Sequence, residues 1–230
     1  SDSTITADGT LTLSGAIGGA YSLTKAGSGT LNLTGNNTYS GGSTTINAGT
    51  VVVSGSGSLG ASTNNLTLSG TASLDLQKSL TVANLVLASG NTITNSTGTS
   101  SLTVNGTSSL AGTITTSGNQ TYTGATTLLA NTSLVSNSGA GNGTITFSST
   151  VNSSSGNNYS LTTTTGTGST TFSGAVGATQ ALLSLTTSGA TSLAGSVTTT
   201  GVQSYGGEVS VTGDATLQTI HTLFALVTDQ

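Results

Sequence analysis

Residues able to do acid–base or metal chemistry are few and scattered along this chain. Its carboxylates are Asp2, Asp8, Asp75, Glu208, Asp214 and Asp229, its lysines are Lys25 and Lys78, and His221 is the sole histidine. Glycan hydrolysis needs paired carboxylates, and no two of these lie within five residues of each other. A zinc site needs several nitrogen or sulfur ligands, yet there is no Cys and His221 has no acidic neighbour in sequence. Serine is abundant, but one histidine and the absence of a Gly-x-Ser-x-Gly elbow argue against a hydrolytic triad. Asp75 and Lys78, the only close pair of opposite charge, read as a solvated surface pair. The expectation is a protein that is not an enzyme, with no catalytic residue, no cofactor and no metal. A polysaccharide-active enzyme is the least favoured alternative.

Two other patterns could carry binding. Tyr39, Tyr122 and Tyr205 recur at one spacing and could present a stacking face to glycans; the plainer reading packs each over a corner and bonds its hydroxyl there. Thr-x-Thr pairs at Thr4/Thr6, Thr92/Thr94, Thr113/Thr115 and Thr144/Thr146 raise ice binding, which requires hydroxyls in register on successive layers. Following the repeats, the outward position reads Thr12, Asn32, Val52, Thr67, which is not a regular array. Ice binding is kept as an alternative. Asn-x-Ser/Thr sequons such as those at Asn32, Asn95 and Asn142 are numerous, but this composition generates them by chance.

The composition points to what positions such residues. Only 3% of the 230 residues are charged, 34 are glycine, and Pro, Cys, Met and Trp are absent. Thr favours strands, and Gly and Asn favour tight turns, so the mixture suits short strands joined by corners. A net charge of −4 with two lysines offers no basic patch for nucleic acid or anionic lipid. No apolar run approaches the roughly 20 residues of a membrane span, and the first residues show no signal-peptide pattern. The lack of any methionine suggests a processed piece.

Repeats occur at two scales. Thr10-Leu11-Thr12-Leu13-Ser14-Gly15 returns as Thr30-Leu31-Asn32-Leu33-Thr34-Gly35 and as Thr50-Val51-Val52-Val53-Ser54-Gly55, and Asn65-Leu66-Thr67-Leu68-Ser69-Gly70 reads as the next member. At the longer scale Leu102 to Leu134 aligns on Leu185 to Leu217 with 14 identities in 33 positions, a step of 83 residues, or four coils of about 21. The same step carries Tyr39 to Tyr122 and Tyr122 to Tyr205. Within each short unit the apolar residues alternate, the period of a strand with one buried face. Strands this short must stack on their repeats to make a core. The predicted fold is therefore all-β: a parallel β-helix, or β-solenoid, with coils of about 20 residues over residues 1–217. About eleven coils at the strand spacing of about 4.8 Å would make a rod of roughly 50 Å.

The repeat fades at Leu217, and residues 218–230 are expected to be a cap or assembly segment. Leu217, Ile220, Phe224 and Val227 share a helical face behind Asp214, which suits a capping helix; the alternative is a last strand with a pairable edge.

The run Leu23-Thr24-Lys25-Ala26-Gly27-Ser28-Gly29-Thr30-Leu31-Asn32-Leu33-Thr34-Gly35-Asn36-Asn37-Thr38-Tyr39-Ser40-Gly41-Gly42, continuing through Thr44-Thr45-Ile46-Asn47-Ala48-Gly49-Thr50-Val51, resembles the autotransporter-associated β-strand repeat of bacterial passenger domains. Thr171-Phe172-Ser173-Gly174, Leu183-Ser184-Leu185-Thr186 and Gln203-Ser204-Tyr205-Gly206-Gly207 look like repeats of filamentous-haemagglutinin-type exoproteins. Both resemblances imply a parallel β-helix exported to the bacterial cell surface or beyond, serving adhesion, autoaggregation or biofilm matrix. The partners they imply are host or matrix glycans and proteins, or further copies joined end to end or laterally. The translocator and secretion domains of those families are not in this sequence, so the chain is expected to be the stalk of something longer.

Overall fold

The computed structural model describes residues 1–137 and 142–220, and they form a parallel β-solenoid of about 10 turns with coils of about 21 residues. All of its strand pairs are parallel among the described residues, and three columns of strands carry them. Column I stacks the rungs Ser3, Leu23, Thr44, Leu66, Leu85, Ser108, Thr126, Val151, Val176, Val197 and Leu217 in unbroken register. Column II begins with Thr10–Leu13 on Thr30–Leu33 and ends with Gln203–Tyr205 on Leu185–Thr187. Column III runs from Leu80–Val82 to Val209–Val211. In the coils before Leu80 the third side is made of stacked loops, where Thr38 N donates to Ile17 O and Ala61 N to Tyr39 O.

Alternation gives each column an inward row. In column II it reads Leu11, Leu31, Val51, Leu74, Ile93, Ile114, Leu134, and all but the terminal Leu11 are buried. Column III stacks aromatic rings: Tyr122 on Phe147 and Phe147 on Phe172, each pair with centroids 5.1 Å apart. In the later coils the inward row turns polar, and the hydroxyls pair across the interior, Thr163 with Thr170 at 2.8 Å and Thr187 with Thr191 at 2.7 Å.

Three readings of the repeats change. Asn65–Leu76 is one strand bent through two sides, so Leu66 faces Thr44, and it is Ser73 to Leu76 that faces Thr50 to Val53. Asn65 to Gly70 therefore belongs to column I and does not continue the series of Thr10, Thr30 and Thr50. Second, the 83-residue step is not always a whole number of coils. Tyr122 lies in column III and Tyr205 in column II, so this step falls one side short of four coils. The motif keeps its bonds after moving to another side. Gln120 Nε2 donates to Ile114 O, Thr116 Oγ1 and Val135 O, and Gln203 Nε2 donates to Val197 O, Thr199 Oγ1 and Gln218 O. In both, the glutamine Oε1 accepts from the tyrosine hydroxyl at 2.9 Å. The sides of a coil are thus locally interchangeable.

Third, of the two readings offered at Leu217, the helix is not seen and the last strand is. Leu217–Thr219 is a strand paired with Val197–Thr199, because the ladder of column I continues to offer it backbone partners. Solenoid pairing therefore runs two residues past the expected boundary at 217, with Ile220 N still donating to Thr199 O. Phe224 and Val227 lie outside the described residues.

Candidate functional surface

Among the described residues the carboxylates do not converge. Asp75 sits on the fourth rung of column II, while Glu208 and Asp214 belong to the last coils, about 30 Å away at the spacing of stacked strands. Asp75 accepts from Gln77 Nε2 at 2.8 Å, Ser96 Oγ at 2.6 Å and Ser96 N at 2.9 Å, all neutral donors. Lys78 is not among its hydrogen-bond partners. No group of three or more His, Cys, Asp or Glu that could hold a metal exists among the described residues. His221 lies outside them.

Lys25 is only 1% exposed, because alternation from Leu23 places it in the inward row between Ile5 and Ile46. Its ammonium donates to the carbonyls of Ala26 and Gly27 at 2.8 Å and of Ala48 at 3.1 Å, which ties one corner to the coil above it. Asn37 works similarly on the looped side: its Oδ1 accepts from Ile17 N and its Nδ2 donates to Ser58 O, both at 2.8 Å, so it links three coils. Sequence reasoning did not pick out either residue, although the alternation Leu23, Lys25 was visible.

The three tyrosines do not form one face. Tyr39 and Tyr122 are 1% and 0% exposed, so their rings are closed to a ligand, while Tyr205 is half-buried on the last described rung of column II. Thr44 Oγ1 donates to Leu59 O, leaving the Tyr39 hydroxyl to donate to Thr44 Oγ1 at 2.7 Å. Burial pushes the phenols of Tyr39 and Tyr205 up to about 12 and that of Tyr122 higher still. In an unfolded chain they would ionise near 10. Folding therefore favours the protonated phenol, and that contribution is whole below pH 10 and lost as pH climbs toward 12. Burial also holds the Lys25 ammonium below the usual lysine range, against an opposing pull from Asp8. Its contribution has the opposite sign and rises with pH until free lysine itself deprotonates near 10.4. The tyrosines outnumber it, so thermal melts should show Tm falling steeply above about pH 10, with native phenol absorbance titrating late. An unchanged Tm up to pH 12 would contradict this.

What the fold does present outward is hydroxyl. The outward position of column II reads Thr10, Thr30, Thr50, Ser73, Thr92, Thr113, Ser133, Thr162, Thr186, Ser204, without a break. Column III adds Thr81, Thr103, Thr121, Thr146, Thr171, Ser192, Ser210. Ser73 and Thr92 bond each other at 3.2 Å. The expectation of an irregular array followed the wrong neighbour. Val52 faces Asp75 rather than Thr67, and the unbroken row lies two residues before the one read from sequence. The second row, Thr12, Asn32, Val52, Asp75, Thr94, is indeed mixed.

Residues 23–53 match the family described as the passenger-associated-transport-repeat. The matched segment holds Lys25, Asn37, Tyr39 and Thr44, buried residues whose polar groups help tie the early coils together. Together with the solenoid, this match fits an autotransporter passenger repeat. Neither the curated proteins nor the solved structures contain a match to the chain.

Proposed function

We propose that this chain is a segment of a bacterial surface or secreted passenger, a non-enzymatic rod whose repeated hydroxyl faces serve adhesion, autoaggregation or biofilm matrix. The passenger-repeat match at residues 23–53, set in an unbroken parallel ladder, carries this reading. A passenger displayed outside the cell benefits from a fold that closes its core without disulfides. This chain has no cysteine, and it closes its corners with inward Lys25, Asn37 and Gln120 instead. Its two hydroxyl rows are neutral and bear both donors and acceptors, which suits glycan or protein hydroxyls and amides or a second copy of the chain.

Display of the chain on the surface of a non-adherent bacterium tests the proposal. Displaying cells should settle faster or retain more matrix glycan than cells displaying an unrelated rod of the same length, and equal behaviour would overturn the adhesive role. The regular hydroxyl row also favours the ice-binding alternative, and thermal hysteresis of the purified protein separates the two: a positive reading supports ice binding and a null one removes it.

A further inference from the structure

The inward rungs of column I run Leu66, Leu85, Ser108, Thr126, Val151. Ser108 and Thr126 are each 1% exposed and are register partners, so their side chains enter the same stretch of the interior. Neither Ser108 Oγ nor Thr126 Oγ1 finds a hydrogen-bond partner among the described residues. The backbone beside them is already engaged: Ser108 N donates to Ala125 O, Thr126 N to Thr150 O and Val151 N to Ala175 O. Elsewhere the fold satisfies its inward hydroxyls from within. Thr132 Oγ1 donates to Leu110 O and Ser136 Oγ to Gly143 O. Ser100 Oγ is a third unbonded group, but it precedes column III on another side and has no such neighbour.

Two hydroxyls on adjacent rungs, about 4.8 Å apart at the backbone, are placed for one small molecule to bridge. Serine and threonine are also smaller than Leu85 beneath them, so side-chain volume is withdrawn from the column at that point. A buried site of this kind takes a neutral molecule that both donates and accepts. We propose that a single water molecule is held inside the solenoid between Ser108 Oγ and Thr126 Oγ1.

A high-resolution crystal structure of the whole chain, paired with a double-mutant cycle of Ser108→Ala, Thr126→Val and the double variant, tests this. The crystal should show one ordered water within hydrogen-bond distance of both hydroxyls. In urea unfolding each single substitution strands the water's other partner and should lower the folding equilibrium constant about fivefold, an effect of about 1 kcal/mol. The double variant should recover most of that loss, because nothing polar remains to satisfy. Density with no water there overturns the site, as do single substitutions that are neutral or stabilising and simply add. Valine is nearly isosteric with threonine, so failure to fold is not expected to obscure the reading.

Discussion

Replacing Phe147 with alanine should cost about 4 kcal/mol, the usual loss for a buried aromatic ring cut back to a methyl group. Phe147 is 1% exposed and lies in the middle of the aromatic stack, with Tyr122 on one side and Phe172 on the other, both at 5.1 Å. Its removal opens a cavity and strips a ring contact from each neighbour. A whole domain is stable by only about 5–15 kcal/mol, so a single such loss is a large fraction. In a stacked array each coil touches only its neighbours, so the damage stays local and should divide one unfolding transition into two. Urea unfolding followed by hydrogen exchange would show early opening at Ile145–Phe147 and its rungs Gln120–Tyr122 and Thr170–Phe172. Phe147→Leu should cost far less, since the same row accepts Leu193 two rungs on. A loss below about 1 kcal/mol for the alanine variant would mean that the stack does not hold the coils together.

Gly49→Ala should be nearly as damaging, at about 3 kcal/mol, through backbone rather than cavity. Gly49 has φ of 68°, and a Cβ there would lie 2.3 Å from Gly29 O and 2.7 Å from Gly27 O, both backbone atoms of the coil below. The corner can neither turn nor move away without parting the rungs on both sides. Gly156 is the control: its φ is 77°, but a Cβ there would meet nothing within 4 Å. Gly156→Ala should therefore cost only the conformational part, about 1 kcal/mol. Equal losses at the two positions would show that coil-to-coil closeness at Gly49 contributes nothing beyond φ. Calorimetric melts of the two variants give the comparison directly.

Both substitutions bear on the proposed role, because an exposed rod functions only while its outward rows stay in line. The hydroxyls of Thr30, Thr50 and Thr113 are held in file by the corners and the parallel backbone ladder that joins their rungs, and by no bond of their own to the protein among the described residues. A coil that opens at Phe147 would break the row between Thr113 and Thr162, and any function that depends on many weak contacts in series would fall with it.

The amino-acid sequence by itself determined which way side chains point and how coils are built. The alternation of Leu31 and Leu33, or Val51 and Val53, is enough to bury one face, and glycine after each unit is enough to turn it. The scattering of six carboxylates was equally plain before any fold was known. Tertiary structure decided which rungs are neighbours. Successive rungs of column I are 18 residues apart from Ser108 to Thr126 but 25 apart from Thr126 to Val151, since corner lengths vary. Short alternating units look alike on every side of the coil, so a motif such as Asn65 to Gly70 cannot declare its column. Only the closed ladder of backbone hydrogen bonds, which must pair every buried N–H and C=O at once, selects one register. That selection put Asp75 beside Val52, moved Tyr205 to another side from Tyr122, drew Leu217 into a strand, and aligned ten serines and threonines in one outward file.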